Sequence, residues 1–476
     1  MKNVNVSVIV KKKYSDKQII DNRTSFDIVL EKVRSLNYPF YIFSESQDND
    51  YLYFDGSVNS LLKQIDFHIK KFNNIIFFNS DMPLYDIELT KKMISAHESN
   101  LADFTFAENY PSGFSPYVLN RATFKKLFLI STGNNSIYEY NTLKALIDLD
   151  INSYDVEILS PEEDLRFIRE TFSTSNKRSF LLTKNFFIND INSNNILEKL
   201  KEKPEILRPL PSYITIELSS KCNQSCVFCP YPKIKKDSFI KLDIIKLLSE
   251  ISSWIEEGYI EFSGIGEPFT YPDFETVLDL IRKNPKIHFI IETNGSLLKP
   301  WIEKLKDINN LTIIVLINAS NKEDYKRIHG ADDFNIVESN IEQMIKNKID
   351  VYLQFVRCRD TETNLDGFIK RWEFMKDKII IRKYNDFSGF LEDKKIVDLS
   401  PLNRFPCWKL QRNIFIDSQG YLRPCYQDIN NNFGFDLNIL SIQEAWENLN
   451  HLYKRHWDNI FDSVCNNCDE WYVFDF

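Results

Sequence analysis

The chain has 476 residues, which is too long for one ordinary hydrophobic core and predicts two to four domains. Hydrophobic residues make up 43% and charged residues 27%, as in soluble globular proteins, and no apolar run reaches the length of a membrane span. With 59 basic and 68 acidic residues the net charge is -9, so the chain offers no overall attraction for nucleic acid or for an anionic membrane.

The eight cysteines and the N-terminal residues predict the compartment. The first apolar stretch is too short, and too soon interrupted by lysines, to be a signal peptide, so we expect a cytoplasmic protein. In a reducing compartment the cysteines are expected to be thiolates that bind metal rather than disulfides. They fall into groups of three, one and four along the chain. The single one, Cys358, lies in an apolar strand pattern and is expected to be a small buried side chain.

Residues 1–170 alternate strand-like and helix-like runs, as an α/β domain does. A buried strand is predicted at 74–78, and Asp81 follows it at the end where open α/β sheets bind ligands. The motifs at 81–84 and 160–169 resemble those of sugar-activating nucleotidyltransferases, in which the Asp binds a metal and the second motif is a terminal helix. The glycine-rich loop of that family is replaced by the sequence KKKYSD at 11–16. We therefore interpret the domain as a degenerate relative.

Strand and helix patterns alternate regularly between residues 212 and 395, which predicts a parallel sheet with helical crossovers. The preceding segment, 171–211, is rich in Ser, Asn, Lys and Pro and is interpreted as a linker with one helix. Six such strand and helix units make an open, partial barrel, whose functional loops follow the carboxyl ends of the strands. The predicted strands are 214–218, 259–262, 287–291, 311–317, 351–356 and 378–382.

The loop after the first of these strands contains Cys222, Cys226 and Cys229. Three thiolates at this spacing can bind one side of an iron-sulfur cluster and leave one iron without a protein ligand. Structural zinc is the alternative, but zinc needs four ligands, and no second Cys or His pair follows in this loop. The spacing resembles the signature of the radical S-adenosylmethionine (SAM) superfamily, in which the amino and carboxylate groups of SAM chelate the open iron.

Further motifs follow the later strands in the order found in that family. Residues 264–268 read GIGEP, similar to the family's Gly-Gly-Glu-Pro motif at the SAM amino group, and residues 293–295 read TNG, like the element beside the SAM site. Taken singly, each is also typical of an ordinary strand-end turn, so the order carries the resemblance. The SAM contacts that the resemblance implies are those of Phe228, Gly266, Glu267, Asn294, Asn318 and Gln354.

The last segment, 396–476, contains the remaining four cysteines and two short predicted strands about the turn at Gly420. The glycine five residues before the second cysteine, and the closing Cys-x-x-Cys pair, resemble the SPASM type of C-terminal extension, which binds auxiliary iron-sulfur clusters. Four thiolates can close one cluster completely, so we expect one auxiliary 4Fe-4S cluster, with tetrahedral zinc as the alternative. The expected ligands are Cys407, Cys425, Cys465 and Cys468.

The predicted fold is therefore α/β: a partial (β/α)6 radical SAM barrel, preceded by a nucleotidyltransferase-like α/β domain and followed by a small iron-sulfur domain. This architecture resembles that of spiro-SPASM proteins. The resemblance implies a radical SAM enzyme that uses SAM, a SAM-binding 4Fe-4S cluster and an electron donor such as flavodoxin or ferredoxin. Its substrate could be a peptide, a protein, or a sugar or lipid head group.

Two other functions stay open at this stage. One is a metal-dependent nucleotidyltransferase that acts through Asp81, and the other is a non-catalytic scaffold with zinc at both cysteine groups. The sequence identifies no catalytic base or radical relay residue. Glu217 and Glu292 are candidate polar side chains near the cluster.

Overall fold

A computed structural model describes residues 4–47, 50–132, 136–234 and 237–473 of the chain. These residues belong to two compact units, Met1–Pro209 and Leu210–Phe476. The four domains predicted from the sequence, with boundaries at 170, 211 and 395, stay a prediction. None of the described helices is long enough and apolar enough to cross a membrane.

The first unit contains a seven-stranded mixed sheet and a small two-stranded one. The described strands are β1 (Asn5–Lys11), β2 (Gln18–Ile20), β3 (Arg23–Thr24), β4 (Phe40–Ser44), β5 (Leu52–Tyr53), β6 (Asn74–Asn79), β7 (Phe104–Ala107), β8 (Tyr117–Asn120) and β9 (Val156–Leu159). The helices are α1 (Ser25–Ser35), α2 (Val58–His68), α3 (Ile87–Ser99), α4 (Arg121–Ile130), α5 (Thr142–Asp148), α6 (Lys177–Ile188) and α7 (Ile196–Glu202).

The strands of the large sheet follow the order β5-β4-β1-β6-β8-β7-β9, and β8 alone among them is antiparallel to its neighbours. The central strands β1 and β6 are apolar and buried along nearly their whole length, as strands covered by helices on both faces must be. The carboxyl ends of these two adjacent parallel strands therefore lie side by side.

Two stretches of this unit differ from their sequence interpretation. Residues 160–169 form turns and bends instead of the implied helix, and the Asp164 carboxylate pairs locally with Arg166 at 2.6 Å. The stretch interpreted as a linker carries both α6 and α7. Its Phe172 and Phe186 rings lie 4.2 Å apart, and each contacts the ring of Phe114. Residues 171–209 are thus packed by an aromatic cluster.

The second unit contains a nine-stranded sheet. The described strands are β10 (Tyr213–Ile216), β11 (Gly258–Phe262), β12 (Ile287–Thr293), β13 (Leu311–Leu316), β14 (Val351–Arg357), β15 (Ile379–Lys383), β16 (Asn413–Ile416), β17 (Tyr421–Arg423) and β18 (Phe435–Asp436). The helices are α8 (Tyr231–Ile234), α9 (Ile244–Ile255), α10 (Phe274–Lys283), α11 (Ile302–Leu305), α12 (Lys322–His329), α13 (Phe334–Lys346), α14 (Leu365–Arg371), α15 (Trp408–Arg412), α16 (Ile442–Asn448), α17 (Asn450–Trp457) and α18 (Ser463–Asn466).

All six strands predicted between residues 214 and 382 are present, and they pair in chain order, in parallel, from β10 to β15. Helices connect them, so the loops that follow the strands share one edge of the sheet. The C-terminal segment extends the same sheet, because β16 pairs in parallel with the free edge of β10. β17 and β18 then continue it as antiparallel strands.

Candidate functional site

The three clustered cysteines follow β10, and two of them face the loops after neighbouring strands. The Cys222 Sγ lies 4.0 Å from the Asn294 Nδ2, in the loop after β12. The Cys229 Sγ lies 3.9 Å from the carbonyl oxygen of Ile265, in the loop after β11. Parallel pairing of the strands brings these loops together at one edge, as the sequence predicted for the motifs.

The middle cysteine contacts a buried histidine. The Cys226 Sγ lies 3.3 Å from the Nδ1 of His329, the last residue of α12, and that Nδ1 is also 3.1 Å from the Gln224 Oε1. The His329 Nε2 donates to the carbonyl of Ile317 at 2.9 Å. Burial lowers the pKa of His329 to about 4, so the ring is neutral at pH 7. Sequence reasoning missed this contact, since a histidine at a helix end has no local mark of a neighbouring cysteine.

The chemistry of the three thiols fits an iron-sulfur cluster. Burial raises the pKa of Cys222 to about 11 and that of Cys229 to about 12. The charge of Glu267 adds to the shift of Cys222, and the charge of Cys222 adds to that of Cys229. For Cys226, burial and the other two cysteines raise the pKa well above its usual value. Buried thiolates therefore need a cationic partner, and soft sulfur donors suit iron. In the described residues, no three His, Cys, Asp or Glu side chains are close enough to hold a single metal ion.

Gly266 lies directly against the backbone that leads into the cysteine loop. A Cβ at this position would lie 2.2 Å from the carbonyl oxygen of Ser219 and 2.7 Å from that of Lys221. The next residue fixes the contact, since the Glu267 N–H donates to the Lys221 carbonyl at 2.8 Å. Glycine is therefore required here for packing of the two loops, in addition to the SAM contact that the resemblance implies.

The Glu267 carboxylate is 2% exposed and accepts three hydrogen bonds within the protein. The donors are the Thr293 Oγ1 at 2.7 Å, the Asn294 N–H at 2.9 Å and the Phe269 N–H at 3.2 Å. Burial raises the pKa of Glu267 to about 7, although these hydrogen bonds oppose the shift. The carboxylate thus links the loops after β11 and β12, and its contact with SAM stays a prediction.

Asn294 and Asn318 follow β12 and β13. The Asn294 Nδ2 donates to the Asn223 Oδ1 at 2.8 Å, which ties the TNG motif to the cysteine loop. Asn318 is fully buried, in a left-handed backbone conformation with φ of 49°, and its Nδ2 donates to the Val356 carbonyl at 2.9 Å. Its Oδ1 has no hydrogen-bond partner among the described residues. That buried acceptor could bind a polar group of a ligand.

Two adjoining cavities lie beside the cysteine loop, and we call them together the chamber. The smaller, of about 140 Å³, is lined in part by Phe228 and Cys229. The larger, of about 400 Å³, is lined in part by Gln354 and Cys425. Seven residues line both cavities, so the chamber extends from the first cysteine group to the second. The shared residues are Thr215, Glu261, Glu292, Arg382, Lys383, Phe415 and Tyr426.

The polar side chains of the chamber form one connected group. The Glu292 carboxylate accepts a hydrogen bond from the Gln354 Nε2 at 2.7 Å and lies 3.3 Å from the Arg382 guanidinium. Arg382 donates to the Tyr426 hydroxyl at 2.7 Å. Sequence reasoning missed Arg382 and Tyr426, although Arg382 lies near the end of β15 and Tyr426 directly follows Cys425, both positions typical of site residues.

The two candidate carboxylates, Glu217 and Glu292, have different environments. Glu292 lines both cavities. Glu217 is 3% exposed and accepts from the N–H groups of Ile265 at 2.9 Å and Ser418 at 3.1 Å. Burial raises the pKa of Glu217. The Glu217 side chain therefore joins the loop after β11 to the C-terminal hairpin.

The four C-terminal cysteines surround a small cavity, which we call the cysteine cavity. Its volume is about 30 Å³, and Cys407, Cys425, Cys465 and Cys468 all line it. Burial raises the pKa of Cys425 well above its usual value, and the charges of the other three cysteines raise it further. All eight cysteines of the chain are free thiols. The structure thus groups the four predicted ligands, and their assignment to a metal stays a prediction.

In the first unit, Asp81 and Lys12 follow the adjacent strands β6 and β1. Burial raises the pKa of Asp81, and the charge of Lys12 opposes that shift. The Lys12 Nζ donates to the Tyr138 carbonyl at 2.6 Å and lies 3.6 Å from Glu45. Residues Lys13–Asp16 form a short 3-10 helix where the nucleotidyltransferases carry their glycine-rich loop. Nucleotide binding here stays a prediction.

Comparison with known proteins finds similarity in the middle of the chain. The model of the radical SAM superfamily matches residues 216–366. An uncharacterised protein of Treponema pallidum is 27% identical over 357 residues, which cover 69% of this chain and 97% of the relative. A GTP 3',8-cyclase of Aliarcobacter butzleri is 26% identical over 215 residues, which cover 38% of this chain and 66% of the cyclase.

Among solved structures, anSMEcpe with bound AdoMet is 19% identical, with a TM-score of 0.41, and the alignment covers 51% of this chain and 82% of that chain. The superfamily match includes the cysteine loop and the motifs after β11, β12 and β13. The match over residues 216–366 is therefore to a superfamily of enzymes.

Proposed function

We propose that this enzyme holds a 4Fe-4S cluster on Cys222, Cys226 and Cys229, cleaves SAM reductively and starts radical chemistry on a substrate in the chamber. One observation carries the proposal: the three cysteines, on one loop, face groups from three other elements that follow parallel strands. A cluster held by these three thiolates would supply the electron for reductive cleavage of SAM to a 5'-deoxyadenosyl radical.

The residues of the chain then bind and orient SAM. Phe228 gives the smaller cavity an aromatic wall against which adenine can stack. The Asn318 Oδ1 is a buried acceptor for an N–H or O–H group of the ligand. Gly266 and Glu267 hold the loop after β11 against the cysteine loop, and Asn294 donates toward the Cys222 sulfur. These contacts fix the geometry of the cysteine loop.

The chamber supports the substrate part of the proposal. A cavity of about 400 Å³ is within the range of sites for small molecules and single side chains. Because its walls include Cys425 and adjoin the cavity beside Cys229, a bound group would lie between the two cysteine groups. We propose that the C-terminal cysteines hold one auxiliary 4Fe-4S cluster, which binds the substrate or transfers an electron.

The proposal includes the finer architecture that the resemblance implies. The six parallel strands from β10 to β15 would form the partial (β/α)6 barrel, and the first unit would be a degenerate nucleotidyltransferase-like domain, as in spiro-SPASM proteins. A cytoplasmic flavodoxin or ferredoxin would supply electrons. The substrate would be a peptide, a protein, or a sugar or lipid head group that the charged walls of the chamber can orient.

Anaerobic reconstitution followed by a SAM cleavage assay tests this function. We expect a brown protein with about eight irons per chain, which forms 5'-deoxyadenosine and methionine from SAM after reduction. Cys226→Ala should abolish this product. A colourless protein that contains zinc, or wild-type and Cys226→Ala proteins with the same absence of SAM cleavage, would overturn the proposal.

A nucleotidyltransferase that uses Asp81 is the second candidate, because Asp81 and Lys12 follow adjacent parallel strands. It predicts pyrophosphate release from CTP or another nucleoside triphosphate, abolished in Asp81→Ala. Since no glycine lies between residues 11 and 16 to bring the backbone close to a triphosphate, we expect no release.

A further inference from the structure

The cysteine cavity contains buried polar groups without a hydrogen-bond partner. Gln427 is 3% exposed and lines the cavity, and neither its Nε2 nor its Oε1 has a partner among the described residues. His456 is 2% exposed and also lines the cavity, and its Nε2 has no partner in the same part of the chain. A buried donor without a partner destabilises the fold, so a group in the cavity that accepts from these donors would be favoured.

The histidine tautomer follows from its other nitrogen. The Cys407 N–H donates to the His456 Nδ1 at 3.5 Å, so Nδ1 is an acceptor. In a neutral imidazole the remaining nitrogen then carries the proton. The His456 Nε2 is therefore an N–H donor, and the Gln427 amide offers two more. The cysteine cavity thus combines four thiols with neutral donors from two different elements.

We infer that Gln427 and His456 each donate a hydrogen bond to sulfur of the auxiliary cluster and thereby raise its reduction potential. This inference rests on the auxiliary cluster of the proposed function. A cluster with four thiolate ligands is negatively charged, and reduction adds one more electron to it. Donors aimed at its sulfurs stabilise the more negative, reduced form more than the oxidised form.

A neighbouring cation, Arg404, would also raise the reduction potential of the auxiliary cluster. The Arg404 side chain lines the cysteine cavity, donates from Nη2 to the Cys465 carbonyl at 2.6 Å and has an Nε without a partner among the described residues. Its charge favours the thiolate form of Cys407. Gln427, His456 and Arg404 are positioning residues, because none of them is a ligand or contacts the chamber.

The test measures the potential of the auxiliary cluster alone. In the full chain with Cys226→Ala, which lacks the SAM-binding cluster, the remaining iron signal is titrated anaerobically by electron paramagnetic resonance. We expect Gln427→Met and His456→Leu each to lower the ratio of reduced to oxidised cluster, at a fixed solution potential, about tenfold. For a one-electron couple this corresponds to a midpoint potential that is lower by about 59 mV. Gln443→Met, on α16 and outside the cavity, is the matched control and should leave the potential unchanged.

A conservative variant separates hydrogen bonding from packing. His456→Gln keeps an N–H donor and should restore most of the potential that His456→Leu loses. A structural role alone would lower the amount of cluster in both variants without this difference. If the background protein holds about four irons and the potential is the same in all variants, the inference is wrong. If it holds zinc or no metal, the auxiliary cluster of the proposed function is wrong as well.

Discussion

The two cysteine groups use the same ligand atoms in opposite surroundings. The cysteine loop after β10 borders the smaller part of the chamber, of about 140 Å³, and its sulfurs face the loops after β11 and β12. Cys425 of the second group borders the larger part. The four C-terminal cysteines surround a cavity of about 30 Å³, with buried donors around it. Three ligands with free space leave room for a small molecule, whereas four ligands in a small cavity close the coordination of a cluster.

The two groups therefore differ in their surroundings, since Cys229 borders the chamber, whereas all four C-terminal cysteines line one small cavity. Burial raises the pKa values of the thiols in both groups, so in either group the thiolate form would need a cation beside it. The first group is held by backbone contacts at Gly266 and by the Glu267 carboxylate, and the second by residues of α15, α17 and α18. Substitutions of the residues that position one cysteine group should therefore affect that group and leave the other intact.

Removal of one cysteine from each group should give the largest effect. We expect Cys226→Ala to lose about four irons per chain and to lower SAM cleavage more than 100-fold, since even residues outside the ligand set cost about 10–100-fold. Cys468→Ala should lose the other four irons and still form 5'-deoxyadenosine. Iron analysis and product chromatography measure both. Equal loss of both clusters in either variant would show that the two groups are not independent.

Gly266→Ala should disturb the first group through its backbone. A Cβ cannot be accommodated 2.2 Å from the Ser219 carbonyl, so we expect a loss of about 3 kcal/mol in the free energy of unfolding. Gly389→Ala is the control for the added Cβ, because no atom lies within 4 Å of that position, although Gly389, unlike Gly266, has a positive φ, of 86°. Because an alanine is strained at this φ, Gly389→Ala should lower the free energy of unfolding by about 1 kcal/mol. Urea unfolding compares them, and equal losses would contradict the role of close packing.

Thr293→Val should weaken the same region in a pH-dependent way. It removes a hydrogen bond to the Glu267 carboxylate, at a cost of about 2 kcal/mol. The pKa of Glu267 is raised to about 7 from 4.5, so its contribution to stability is present below pH 4.5 and is lost as the pH rises through 7. Loss of the hydroxyl raises this pKa further. Urea unfolding should therefore show a larger destabilisation at pH 8 than at pH 5. The control Thr276→Val removes a surface hydrogen bond to Asp273 and should change little at either pH.

Lys383→Met tests the attachment of the second group to the sheet and should have the smallest effect. The Lys383 Nζ, at the end of β15, lies 3.1 Å from Asp469 and 3.0 Å from Glu470, directly after Cys468. Because these ion pairs are partly buried, we expect a loss of about 1 kcal/mol in the free energy of unfolding. We also expect a chelator to remove iron from the C-terminal cysteines faster. Lys304→Met, which removes an exposed pair with Glu275, is the control. An unchanged rate of iron loss would argue against this attachment.

The parallel strands and the order of the motifs could be predicted because buried parallel strands are continuous apolar runs. The β12 and β13 strands are examples, and the TNG motif and Asn318 follow them as expected. Polar composition was less informative. It marked 171–211 as a linker, although Phe172 and Phe186 pack together there at 4.2 Å. A few large apolar side chains decide packing, and the average composition does not show them.

Contacts between distant parts of the chain had no local signal. Glu217 is a candidate polar side chain near the cluster, and no local pattern indicated that its carboxylate accepts from the Ile265 and Ser418 N–H groups. The partner of a carboxylate depends on which loops meet in the fold. For the same reason, no pattern near Gln427 or His456 indicated a shared cavity.

The pairing of β16 with β10 also has a consequence for synthesis of the protein. The β10 strand, which precedes the cysteine loop, ends at Ile216. The β16 strand, one of its two direct neighbours in the sheet, ends at Ile416, two hundred residues later. At about 5–20 residues per second, the ribosome needs about 10–40 s to make that interval. During this time one edge of β10 can pair with another nascent chain. Slow translation of residues 217–416 is therefore expected to favour aggregation.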